Sequence, residues 1–242
     1  MGISLRRRLG LGSPGLTIGK FPAPKGLRPL TAEEVAATDT FHRAYYDAWR
    51  SKRYTIDLSW FGHRTLKCPM DLWTYQEILV ETRPDLVVEC GTRFGGSAYF
   101  IASILDLLGH GRVLTIDIDT GPTRPSHPRI EYLTGSTADP AIVEQVRTAA
   151  NGKRTMVILD SDHSRDHVLA ELNAYREVVS VGCYLIVEDT DVNGHPARPD
   201  FGPGPMEALD AFLATTDAYI SDPDRERFMM TLNPRGFLKR VR

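Results

Sequence analysis

Acidic residues stand at two matched places in this 242-residue chain. One apolar run, RTMVILD, leads into Leu159-Asp160-Ser161-Asp162-His163, and another, CYLIVED, leads into Val187-Glu188-Asp189-Thr190-Asp191. In a parallel sheet the carboxyl ends of the strands share one edge, so Asp160, Glu188 and Asp189 converge there. Carboxylates brought close together repel unless a positive charge lies among them. A hard divalent ion bound by oxygens, Mg²⁺ with Mn²⁺ as a substitute, is the simplest solution. Acids at strand ends also cap the helices that follow or lie solvated in loops, and residue type alone leaves that reading open. His163, three residues after Asp160, is placed to act as a general base at neutral pH. Asp162 and His167 are less well placed, because side-chain direction changes from one residue to the next.

A second group surrounds a glycine turn. The run DLVVEC ends in Glu89-Cys90-Gly91-Thr92-Arg93-Phe94-Gly95-Gly96-Ser97 and passes into a helix. Glycines let the backbone approach a ligand, and a helix N-terminus offers free N–H groups. The spacing is E-x-G-x-x-x-G-x-S, not the dinucleotide G-x-G-x-x-G. A wider turn with an acid on the preceding strand suits a ligand with an amine and no phosphate, and S-adenosylmethionine has that chemistry. Glu89 then serves the methionine end, with Gly91, Thr92, Arg93, Gly95 and Ser97 forming the cradle. Asp117, at the end of RVLTID, is placed for ribose hydroxyls, and Ser136 lies beside the adenine.

These residues need a scaffold that brings strand ends together. Five apolar runs (DLVVEC, RVLTIDI, RIEYLT, RTMVILD and CYLIVED) read as buried strands, separated by helical patterns near 95–108, 139–149 and 164–179. That alternation predicts an α/β fold, a mostly parallel sheet with helices on both faces. Residues 218–221, 227–231 and 236–241 read as short strands that give the sheet an antiparallel ending. Thr31 with Glu34 forms a capping box for a helix to about Arg53, whose Phe41, Tyr45 and Trp49 make an apolar stripe read as core. Asp71 is read as the cap of a helix ending near Arg83. The loop 193–205, stiffened by prolines, follows the acids directly and is assigned to substrate.

Composition narrows the class. At 42% hydrophobic and 25% charged the chain is globular, and no stretch nears the roughly 20 apolar residues that span a bilayer. Residues 1–70 carry 12 Lys and Arg against 5 Asp and Glu, and the remainder 17 against 26. An acidic site half argues against nucleic acid. Three scattered cysteines, read as buried hydrophobes, suit a reducing, cytoplasmic setting. Residues 1–30, rich in Gly, Pro and Arg, are read as a flexible or oligomerisation arm, 31–69 as an extension or lid, and 70–242 as the core. A homodimer or higher homo-oligomer is expected.

With these residues in place, the sequence resembles the cephalosporin hydroxylase-like family of S-adenosylmethionine-dependent O-methyltransferases. The matching stretches are LKCPMDLWTYQEIL (66–79), VVECGTRFGGSA (87–98), VLTIDID (113–119), MVILDSDHS (156–164), LIVEDTDVNGHP (185–196) and FGPGPMEALDAFL (201–213). The resemblance implies a Rossmann-like class I methyltransferase core and a metal-dependent transfer to a sugar hydroxyl. By it, Asp160, Glu188 and Asp189 map to metal ligands and His163 to the base. Candidate contacts to the carbohydrate acceptor are Tyr46, Trp60, His63 and His195. An oxidoreductase on the same fold and a non-catalytic binding protein are the rivals. Glycine spacing opposes NAD, and a cluster made mainly of carboxylates opposes the two-His iron triad.

Overall fold

In the computed structural model the described residues are 19, 28–51, 58–121 and 124–242. The expected arm over 1–30 lies almost wholly outside them. The elements are α1 (Ala32–Arg50), β1 (Leu58–Trp60), β2 (His63–Thr65), α2 (Pro69–Thr82), β3 (Leu86–Cys90), α3 (Gly96–Leu108), β4 (Arg112–Asp117), β5 (Ile130–Thr134), α4 (Pro140–Ala150), β6 (Thr155–Leu159), α5 (Arg165–Tyr175), β7 (Tyr184–Val187), α6 (Pro205–Leu213), β8 (Tyr219–Ser221) and β9 (Phe237–Arg240).

Seven strands form one sheet in the order β5-β4-β3-β6-β7-β9-β8. The first five run parallel, and β9 joins β7 and β8 antiparallel. This is the Rossmann-like order with the antiparallel ending that the sequence predicts. The central strands β3, β6 and β7 are buried at every position, as strands covered on both faces must be. β3 pairs with both β4 and β6, so Cys90 lies level with Ile116 and Leu159. The chain leaves all three strands at one edge, which places Gly91, Asp117 and Asp160 together.

Three local expectations are corrected. The tail segment 227–231 is not a strand. Asp222 accepts from Asp224 N–H and opens a 3₁₀ turn over Pro223–Glu226, and Arg225 and Arg227 then pair with Glu81 and Glu77 on α2. Asp71 does not cap α2. Cys68 is its N-cap and Pro69 opens it, while buried Asp71 accepts from Thr231 Oγ1 at 2.5 Å and Leu232 N–H at 3.0 Å. The apolar stripe of α1 does not enter the core: Phe41 is 55% exposed and Trp49 41%. The helix instead buries His42 and Tyr46. His42 Nε2 lies 2.9 Å from Asp191 Oδ2, and Tyr46 packs with Val192 and Ala197, which fixes the rotation of the helix over the sheet edge. The capping box itself forms, with Thr31 N–H on Glu34 Oε2 at 2.8 Å and Glu34 N–H on Thr31 Oγ1 at 3.2 Å.

Candidate active site

The glycine turn follows from packing at the strand ends. Gly91 has φ +99°, and a Cβ there would collide with the Asp160 carbonyl. Gly95, at φ +75°, is the N-cap of α3 and supplies no side-chain cap, so the first N–H groups of that helix remain available to a ligand. A Cβ on Gly95 would meet Pro125 Cδ at 2.9 Å and Tyr132 OH at 3.1 Å.

Glu89 lies under this turn, fully buried. Its Oε2 accepts from Thr115 Oγ1 at 2.6 Å, and Thr115 is linked to Thr92 Oγ1 at 2.7 Å. Its Oε1 is buried with no hydrogen-bond partner. Burial raises the Glu89 pKa, against the pull of the Lys67 charge and of the Ser97 and Thr115 hydroxyls. An orphaned, desolvated carboxylate oxygen beside a glycine cradle fits the ammonium of an amino-acid ligand. Asp117 is more committed than the sequence suggests. Its Oδ2 accepts from the N–H groups of Thr92 at 3.1 Å and Arg93 at 2.7 Å and lies 3.3 Å from Arg124 Nη2. Its Oδ1 accepts from Asp119 N–H at 3.0 Å. Asp117 thus braces the turn itself. Ser136 is half-buried after β5.

The acids of the second group meet beyond β6 and β7. His163 Nε2 lies 3.2 Å from Asp160 Oδ1 and 3.2 Å from Asp189 Oδ2. Ligand atoms of Asp160, His163 and Asp189 all fall within 4.8 Å of one another, a group that could hold a metal ion. Glu188 points to the other side of Asp160. Its Oε1 accepts from Tyr75 OH at 2.6 Å and Lys67 Nζ at 2.5 Å, and Lys67 also pairs with Asp160 Oδ2. Asp189 sits at φ +53°, held there by its N–H on Asn233 Oδ1 at 3.0 Å.

Charge balance decides the ionisation. Burial drives Glu188 and Asp189 above the ordinary carboxylate range; the Asp160 charge adds to the rise, and Lys67 and His163 offset part of it. Asp160 is pushed up by burial, but Lys67 and His163 outweigh that and hold it low. Burial pulls His163 down, yet Asp189 and Asp160 outweigh it and raise the imidazole to about 9.

A cavity of about 350 Å³ opens over this group, lined by Tyr45, Tyr46 and Trp49 from α1, by Leu66, Lys67 and Cys68, and by Arg93, Asp160, His163 and Asp189. A small cavity on the glycine turn shares Lys67, Arg93 and Asp160 with it, so the two sites meet edge to edge. Of the expected acceptor contacts, Tyr46 lines the cavity. Trp60 instead packs edge-on against Phe100 at 4.9 Å and donates to Ser103 Oγ at 3.0 Å, and His63 packs tilted against Tyr99 at 4.5 Å. These three contacts fasten the β1–β2 hairpin to α3. His195 lies 3.0 Å from Glu207 on a separate cavity beside His42. Sequence reasoning missed Lys67 and Tyr75. The one signal for Lys67 was its place just before the Cys68-Pro69 helix start, in a stretch otherwise apolar.

The family described as Rhamnosyl O-methyltransferase/CmcI matches residues 52–241. A rhamnosyl O-methyltransferase of Mycobacterium bovis is 40% identical over 234 residues, covering 92% of this chain and 91% of that protein. The one of Mycobacterium leprae is 40% identical over 212 residues, covering 84% and 90%. Among solved structures, CmcI with Mg and SAM is similar at a TM-score of 0.60 and 23% identity, covering 100% of this chain and 97% of that one. Apo CmcI is similar at 0.59 and 23%, covering 100% and 96%. At that identity the likeness shows the fold. The family match and the 40% identity go further: the chain belongs to the rhamnosyl O-methyltransferase/CmcI family.

Proposed function

We propose that this chain transfers a methyl group from S-adenosylmethionine to a carbohydrate hydroxyl, with a rhamnosyl glycoside as acceptor and a divalent metal ion, Mg²⁺ first, as cofactor. The observation that carries the reading is the junction of two sites. The cradle with its orphaned Glu89 oxygen adjoins an aromatic-walled cavity whose floor is Asp160, His163 and Asp189. The names of the relatives support the sugar, and the Mg and SAM of the CmcI structure support the cofactors.

The residues present fit these groups. Glu89 Oε1 would take the ligand's ammonium, and the open N-terminus of α3 its carboxylate. Asp160 and Asp189 would hold the ion, with Glu188 joining when Lys67 releases it. When bound, the ion lowers the pKa of the acceptor hydroxyl. The flat faces of Tyr45, Tyr46 and Trp49 suit the apolar face of a sugar ring. His163 accepts the hydroxyl proton at Nε2. Bound S-adenosylmethionine would supply the methyl group, its carbon–sulfur bond breaking as the acceptor oxygen bonds the methyl carbon and a neutral thioether is released. Alignment of the two reactants across the shared wall would contribute to the acceleration by positioning. One observation favours a second reading of His163: its Nε2 touches both carboxylates, as a third metal ligand would.

The test is transfer of labelled methyl from S-adenosylmethionine to a panel of rhamnosides and other glycosides, with and without chelator. Transfer to rhamnosides that stops with chelator and returns with Mg²⁺ or Mn²⁺ is expected. Full turnover in excess chelator would sink the metal part, and turnover only on non-sugar acceptors would sink the acceptor. We also propose a homo-oligomer in which the N-terminal part contacts a neighbour, to be checked by mass in solution with and without residues 1–30.

A further inference from the structure

Beyond holding Glu188, Lys67 has no part in the proposed chemistry, and the sequence reading does not use it. Its side chain is 3% exposed, and it comes from the short link between β2 and α2. Its ammonium bridges Asp160 Oδ2 and Glu188 Oε1, two carboxylates from different strands. It also lines both the small cavity on the glycine turn and the acceptor cavity. A buried ammonium without anionic partners would be costly, and so would buried carboxylates without a cation. Each satisfies the other, so this edge is charge-compensated by the chain's own residues.

The same arrangement has a consequence for a divalent ion. An ion held by Asp160 and Asp189 shares Asp160 with Lys67. It therefore meets a fixed positive charge across a single carboxylate, in surroundings where water screens poorly. Glu188 stands outside the Asp160, His163 and Asp189 group with its Oε1 on Lys67 and Tyr75, so ligation through that oxygen means giving up both partners. We infer that Lys67 is a built-in competitor of the metal, a positioning residue that holds Asp160 and Glu188 ready in the metal-free protein and keeps the bound ion weak and exchangeable. This rests on the metal-dependent reading above and adds to it what sets the affinity. An exchangeable ion suits a site in which the acceptor must enter and the methylated product must leave over the same carboxylates.

The test uses the full chain with MgCl₂ and MnCl₂ as the only ligands. By calorimetry, Lys67→Met is expected to bind either ion on the order of tenfold or more tightly than wild type, since a like charge is removed from a poorly screened site. Lys67→Arg, which keeps the charge, should stay near wild type. Metal-free Lys67→Met should melt lower than wild type and gain more from the metal. Because that variant places unpaired carboxylates in the interior and can fail to fold without metal, a second measurement uses wild type alone. The ¹⁵Nζ resonance of Lys67, identified by its loss in Lys67→Arg, should move on metal titration. Equal or weaker metal binding by Lys67→Met, or a Lys67 resonance unmoved at metal saturation, overturns the inference while leaving the methyltransferase reading intact. Failure of wild type to bind either ion, with turnover in chelator, overturns both.

Discussion

His163 meets Asp160 and Asp189 through one atom, and that fact makes its role testable. Its raised pKa of about 9 means that the metal-free imidazole is protonated at neutral pH. A base must be neutral to work, so turnover should rise with pH as His163 loses its proton. A nearby cation lowers the pKa, which puts that rise below about 9 in the metal-loaded enzyme. His163→Ala should lower turnover by roughly 10²–10⁴-fold, the usual worth of a general base. Metal affinity, measured by calorimetry, separates the two readings of His163. A base leaves it nearly unchanged, whereas loss of binding makes His163 a ligand. Asp189→Ala should weaken metal binding in either case, because its carboxylate reaches the group from the end of the neighbouring strand β7. If Asp189→Ala binds metal as well as wild type, the ion is held elsewhere.

Elements hold these residues in place through contacts distant in sequence. The loop after β7 is pinned by His42 on α1, by Asn233 and by Pro234. The 193–204 loop is pinned by Glu207 on α6, which accepts from Gly204 N–H at 2.6 Å, Asn193 Nδ2 at 2.9 Å and His195 Nε2 at 3.0 Å. Partial burial alone would raise the Glu207 pKa, but these donors outweigh it and bring it to about 2. A folded pKa below the unfolded one gives stability that is present above about 4.5 and is lost as pH falls toward about 2. Glu207→Gln should therefore cost about 1–3 kcal/mol at neutral pH. Its melting curve should converge on that of wild type as the pH is lowered through this window, and a gap independent of pH would refute the clamp. The wall supplied by α1 is tested by Trp49→Ala, which should raise the acceptor KM several-fold while leaving cofactor binding unchanged.

The same distances explain what could be read in the sequence. Buried parallel strands appear as continuous apolar runs, so β3, β4, β6 and β7 and the acids at their ends were legible, whereas β5 is a half-exposed edge strand with a mixed pattern. The contacts of Lys67 with Asp160 and of Tyr75 with Glu188 span 93 and 113 residues, and no periodicity reports them. The 227–231 segment has the Phe228-Met229-Met230 content of a strand, but ion pairs to α2 and the 3₁₀ turn at Pro223 decide its path. The stripe on α1 has helical spacing, yet His42 pairing with Asp191 turns a different face inward.

At the scale of the molecule, the proposed cofactor cradle is built from three adjacent strands of the sheet. Glu89 belongs to β3, Asp117 to β4 and Asp160 follows β6, three neighbours in the strand order. A ligand bound there contacts the last structure to open, so its binding energy should appear in global unfolding and not only in a loop. Saturation at 100 times Kd adds about 2.7 kcal/mol to stability. For a chain of this length that is a rise in Tm of roughly 5–10 °C. S-adenosylmethionine and its demethylated product should both give a shift of that size, since both carry the ammonium that Glu89 Oε1 is placed to receive. NAD should give none, because its pyrophosphate would bring two negative charges to a turn with a buried acid beneath it and no dinucleotide glycine spacing. Glu89→Gln should shrink the shift for both thioether and sulfonium ligands, as the charge on the unpartnered oxygen is what the ammonium meets. A shift with NAD equal to that with S-adenosylmethionine would assign the cradle to a dinucleotide and return the oxidoreductase reading.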